Sequence, residues 1–188
     1  MKLAIFTGQF FWFDGKNYST DEAFVAFVTS LHPYFDKIVF CDRVRSECKS
    51  EVYKLDPVST EVCPLPHFDL YSIWRNLLIV FPKIFRILKK HLDDWDLVWL
   101  PGPHPVGLLF AYLCHKKKKP FFQMIRANLI EQVRHNNYGI KRHISVTFVS
   151  MLEYIARKLA RDHLTFTVGN EMFNLYSRTG GKVYEVRI

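Results

Sequence analysis

The chain has 188 residues, 49% of them hydrophobic, and a formal charge of +8. That length and apolar content exclude a disordered chain and allow one compact domain with a real core. The charge is uneven: residues 1–114 carry 12 basic and 13 acidic side chains, whereas residues 115–188 carry 14 and 5, so one end invites phosphate, anionic lipid or nucleic acid.

Lys2–Thr7 is an apolar run closed by Gly8, which predicts a buried first strand. It is not a signal peptide, because Asp14-Gly15-Lys16 follows at once and no small-residue cleavage site is present. Gly8 to Tyr18 reads as a loop that contains Phe10-Phe11-Trp12-Phe13. Four consecutive aromatics in a loop cannot all face one interior, so some must be exposed, cover a ligand or touch a membrane. Ser19-Thr-Asp-Glu22 matches a capping box. It opens a helix whose apolar face is Phe24, Phe27, Val28 and Leu31, and Pro33 ends that helix. Lys37–Cys41 predicts a second strand and Glu61–Leu65 a third.

Apolar residues from Ile73 to Leu88 recur at helical spacing, predicting a helix from Ser72 to about His91 with a kink at Pro82. Asp96–Pro101 is a buried strand, and Val106–His115 a helix closed by Lys116–Lys119. Leu97–Cys114 lacks charged residues, but three prolines within Pro101–Pro105 rule out a lipid-exposed helix. A strand over Pro120–Ile125 follows. Then come a helix over Ile144–Leu159, a strand over Leu164–Val168, a short helix capped by Asn170, and a strand over Val183–Ile188. The polar stretches 43–60 and 127–143 read as loops. This alternation predicts an α/β class: a three-layer, Rossmann-like, doubly wound parallel sheet in a single domain over 1–188. Cys41, Cys48, Cys63 and Cys114 lack zinc-type spacing and read as reduced, buried thiols, so no metal is expected.

In an open parallel sheet, ligands bind beyond the carboxyl ends of the strands. In the first loop, Gly15 and Lys16 precede a predicted helix start, where amides, dipole and Lys16 would attract a phosphate. The same residues also fit a plain surface hairpin. His104, in a proline-stiffened loop, is either a proton carrier or a half-exposed loop histidine. Arg126 ends a strand, where it can grip an anion or a sugar hydroxyl or simply pair with a carboxylate. Asn128 and Glu131 add acceptors suited to sugar hydroxyls. Lys116, Lys117, Lys118 and Lys119 form either an anionic-headgroup patch or a solvated helix end, and Phe11 and Trp12 are candidates for the same membrane patch.

The order of segments resembles the N-terminal domain of family-four glycosyltransferases, which have the two-Rossmann GT-B fold. The resemblance rests on Lys2-Leu-Ala-Ile-Phe6, the glycine-bearing first loop, Asp96-Leu-Val-Trp-Leu-Pro-Gly-Pro-His104, the strand Phe121–Ile125 with Arg126, Thr165-Phe-Thr-Val168, and Lys182-Val-Tyr-Glu-Val186. It implies the acceptor-side lobe of a retaining, metal-independent enzyme, with the donor-binding domain outside these residues. It further implies that His104 and Arg126 are catalytic and line the acceptor pocket, and that Gly15 and Lys16 approach the donor diphosphate. The implied partners are a nucleotide-sugar donor and a glycan or lipid-linked sugar acceptor, in the cytoplasm or at the inner membrane face, with no cofactor and no nucleic acid. Two other readings stand beside it: a self-contained module for a small phosphorylated ligand, and a peripheral membrane domain.

Overall fold

The computed structural model describes residues 1–46, 53–68, 75–136 and 138–186. Cys48 and the start of the Ser72–His91 helix lie outside them. The architecture is α/β, with a mostly parallel sheet flanked by helices, as the alternating pattern predicts. Contacts divide the chain into two compact units, Met1–Val98 with Leu113–Pro120, and Trp99–Tyr112 with Phe121–Ile188.

The first unit is organised by one long strand, β4 (Lys37–Arg45); the strand order there is β1-β4-β2-β3-β5, and β6 (Thr60–Leu65) also pairs with β4. β1 (Lys2–Ile5) and β2 (Phe10–Phe13) both run parallel to β4. From the pair Ile5–Phe40 to the pair Phe10–Arg43, one side advances five residues and β4 advances three. The surplus is absorbed in a break at Phe6–Gln9, where Gly8 has φ +76°.

Asp42 fills that break. One carboxylate oxygen accepts the Thr7 amide at 2.8 Å and the Thr7 hydroxyl at 2.9 Å, and the other accepts the Gly8 amide at 2.8 Å. The side chain is fully buried, and burial raises its carboxyl to about 7 against the lowering effect of those hydrogen bonds. The next residue, Arg43, donates to the Gly8 carbonyl at 2.5 Å, and its guanidinium lies 3.8 Å from the Phe10 ring centroid and 4.4 Å from that of Phe68.

The break corrects the reading of Gly8–Tyr18 as a loop. The aromatic run is strand β2, which turns back through Asp14–Asn17 into β3 (Tyr18–Thr20) in antiparallel pairing. Phe11 is fully buried, 5.2 Å from the Phe40 ring, and Trp12 is buried as well. β5 (Tyr53–Lys54) extends the hairpin edge. The capping box does not form: Thr20 Oγ1 donates to the Phe10 carbonyl and accepts from Glu22 N, so the hydroxyl serves the hairpin. Helix α1 (Ala23–Thr29) starts at Glu22 without a side-chain cap, and it buries Val25 and Val28 while Phe27 is exposed. A π turn over Asn76–Val80 leads into α2 (Phe81–His91). The π turn runs without interruption into α2, and Pro82 is the second residue after it, so the change of winding falls where the proline is expected to disturb the helix.

β7 (Leu97–Pro101) and α3 (Pro105–Lys117) follow. In the second unit β8 (Phe121–Ile125), β9 (Thr165–Val168) and β10 (Val183–Val186) are parallel, in the order β10-β9-β8. Residues 127–143 are not a loop: most of them form α4 (Leu129–Asn136) and the start of α5 (Gly139–Asp162). The short helix α6 (Asn170–Ser177) is preceded by Gly169 at the cap position, so Asn170 does not cap it. Ile125, Ala156, Ala160, Met172 and Tyr176 form the core of this unit. Buried Gln123 donates to the Ala156 carbonyl at 2.9 Å and to Thr165 Oγ1 at 3.0 Å, which ties the sheet to α5 with its amide group satisfied.

Cys41, Cys63 and Cys114 are buried and free, and burial pushes the Cys114 thiol up to about 12. Among the described residues no helix is long and apolar enough to cross a membrane.

Two stability predictions follow from this packing. Asp42 binds a proton more tightly folded than unfolded, so its contribution is fully present below about pH 4 and is lost as pH rises to about 7. Asp42→Asn removes the titrating group, so this pH dependence should disappear from denaturant unfolding measured between about pH 5 and 8. A Cβ on Gly181 would lie 1.8 Å from the Ala160 carbonyl oxygen. Gly181→Ala should therefore cost about 1–3 kcal/mol in the same measurement, through displacement of α5.

Candidate functional site

The second unit brings His104, Arg126, Asn128 and Glu131 to the carboxyl ends of its parallel strands. β8 and β9 are in register from Gln123–Thr165 to Ile125–Thr167, so Arg126 leaves β8 at the level of Val168, the last residue of β9. The loop after β7 reaches the same level, because the Gly102 amide donates to the Met124 carbonyl at 2.7 Å.

Asn128 links two strand ends. Its Nδ2 donates to Glu171 Oε1 at 2.8 Å, and its Oδ1 accepts the Glu131 amide at 3.3 Å, capping α4. Both ends of the amide are therefore engaged by the protein. Glu131 and Arg126 are exposed, as is Glu171 in the first turn of α6. The arrangement presents an arginine beside a carboxylate–amide pair, a mixed donor and acceptor surface suited to hydroxyl-rich ligands.

His104 has a local role that its position in the sequence did not reveal. Its Nδ1 accepts the Val106 amide at 3.1 Å and its carbonyl accepts the Leu108 amide at 2.8 Å, so the half-buried imidazole caps the start of α3. Proton transfer by this ring would fall to Nε2.

Gly15 and Lys16 lie in the other unit, in the turn of the β2–β3 hairpin, so the helix N-terminus expected behind them is not there. The Lys16 and Asn17 amides both donate to Asp14 Oδ1, at 2.8 and 2.6 Å. These amides hold the exposed Asp14 carboxyl below its ordinary range. A carboxylate thus occupies the donors that a phosphate would need. Lys16 also borders a cleft of about 170 Å³ with Tyr18, Leu55 and Glu61, below the roughly 300–1,000 Å³ of small-molecule pockets.

The membrane patch assigned to Phe11, Trp12 and Lys116–Lys119 does not assemble as expected. Phe11 and Trp12 are buried within β2. Lys117 pairs with Asp93 at 3.1 Å and Lys119 donates to the Trp95 carbonyl, leaving exposed Lys116 and Lys118 at the end of α3.

Sequence reasoning missed Asp42 and Glu171. Asp42 carried a signal, as the one charge closing the apolar run Ile38-Val-Phe-Cys41. Glu171 lies three residues past the end of β9, and its partner Asn128 is 43 residues away in the chain. Among the described residues no group of three or more His, Cys, Asp or Glu side chains converges as a metal site.

The capping role of His104 predicts that His104→Ala lowers stability by about 1 kcal/mol while His104→Asn, a good capping residue, largely preserves it; paired thermal melts check this. No known family model matches the chain, and no curated protein matches it.

Proposed function

We propose that this chain is the acceptor-side lobe of a glycosyltransferase that moves a sugar from a nucleotide-sugar donor to a glycan or lipid-linked acceptor. The observation that carries the reading is the grouping of Arg126 with the Asn128–Glu171 pair where β8 and β9 end, with the His104 loop tied to β8 through Gly102. Exposed carboxylate and guanidinium groups at strand ends suit the donors and acceptors of a sugar ring. The α/β fold with a mostly parallel sheet is the one the reading requires.

Within this reading Arg126 grips the acceptor or a developing negative charge, and Glu171 accepts from sugar hydroxyls. Asn128 positions Glu171, and Glu131 lies one turn further along the same surface. His104 orders the loop through its cap. Retention of anomeric configuration, independence of metal and action at the cytoplasmic face belong to the same proposal and rest on the family resemblance. The hairpin at Gly15 and Lys16 is left out of the donor site, because Asp14 takes its amides.

The test is direct binding by the 188-residue chain. A glycan array should show retention that Arg126→Ala and Glu171→Gln each reduce about ten-fold or more, the loss of one charge-assisted hydrogen bond of roughly 1.5–3 kcal/mol. Calorimetry with nucleotides and nucleotide sugars should show no tight binding. Tight nucleotide binding with no glycan retention would contradict the proposal and favour a phosphate-binding module.

A further inference from the structure

α5 has two apolar faces, and the core uses one. Leu152, Ala156 and Ala160 are buried, and Ala156 and Ala160 pack in the core with Ile125, Met172 and Tyr176. On the other side Ile140, Ile144, Phe148, Met151 and Ile155 recur at spacings of three and four residues, and all are exposed, Ile144 at 60% and Met151 at 50%. Ile144, Phe148 and Met151 line a shallow groove of about 470 Å³ with His143 and Thr147. Such a contiguous stripe on a surface marks a contact.

The charges around the stripe select its partner. Arg142 and His143 are exposed near the helix start, and Lys158 and Arg161 near its end. Tyr154 is exposed beside the stripe, with the Lys158 ammonium 4.7 Å from its ring centroid. Glu153 is buried on the inner side, which leaves Asp162 as the exposed acid of this helix. A second copy of α5 would bring cations against cations. An anionic leaflet would meet them with opposite charge and take up the apolar side chains.

We propose that α5 is an interfacial helix that lays Ile144, Phe148, Met151 and Ile155 into an anionic lipid surface, with Lys158 and Arg161 on the headgroups. The helix lies on the bilayer and does not cross it. This binding needs no catalytic turnover, so it stands or falls separately from the sugar-transfer proposal.

The experiment is flotation of the 188-residue chain with vesicles of phosphatidylcholine alone or mixed with phosphatidylglycerol, together with sedimentation of the lipid-free protein. The chain should float with the anionic vesicles and stay behind with the neutral ones. Phe148→Ser with Ile144→Ser should reduce partition at least ten-fold with an unchanged thermal melt. Lys158→Ala with Arg161→Ala should reduce it about 20- to 30-fold, from about five-fold per cation. Absence of flotation, or flotation indifferent to both double variants, overturns the proposal. So does a concentration-dependent dimer that Phe148→Ser dissolves in a chain that does not float, which would assign the stripe to a second copy.

Discussion

A buried carboxylate at the break between two strands organises the first unit. β4 is long enough to pair with β1, with β6 and with β2, but β1 and β2 can share its flank only if the residues between them leave the sheet. Leaving the sheet strands two backbone amides away from any strand partner, and a buried amide without an acceptor is costly. Asp42 supplies the acceptors. Once the break is held, the aromatic run is drawn into the sheet and Arg43 is clasped between Phe10 and Phe68. The hairpin that carries Lys16 is then fixed as an edge of the sheet and not as an approach to a helix.

The second unit solves a different problem with similar means. Three parallel strands must be covered by a long helix, and the polar Gln123 inside that contact is satisfied by α5 and by the neighbouring strand. Gly181 allows the chain to pass against the Ala160 carbonyl, where no side chain fits. The strand ends then hold Arg126 and the Asn128–Glu171 bridge in one place. The outer stripe of α5 is surplus to this packing, which is why it is available for a contact outside the fold.

The alternation of strands and helices was legible in the sequence because each buried strand is a short apolar run ended by Gly, Pro or a charge, as in Lys2–Thr7 and Asp96–Pro101. Arg126 and Asn128 were legible for the same reason, since a strand end can be read locally. The hairpin after Gly8 was not, because its pairing is set by Asp42, 34 residues along the chain from Gly8. Helix α4 was hidden by its polar composition, and with it the cap that Asn128 provides. His104 was noticed as a candidate proton carrier, yet its Nδ1 lone pair belongs to a helix start two residues away. Phe11 and Trp12 misled because consecutive aromatics look excessive for a loop, whereas a strand buried on both faces accommodates them.

The account depends most on the state of Asp42 in the folded chain. Carbon-detected NMR titration of its side-chain carboxyl, followed together with the Thr7 and Gly8 amide resonances, measures that state directly. A midpoint near 7, with both amides shifting in step, is the predicted result. Thr7 and Gly8 amides that do not respond as Asp42 titrates would show that Asp42 does not close the break and would contradict the account.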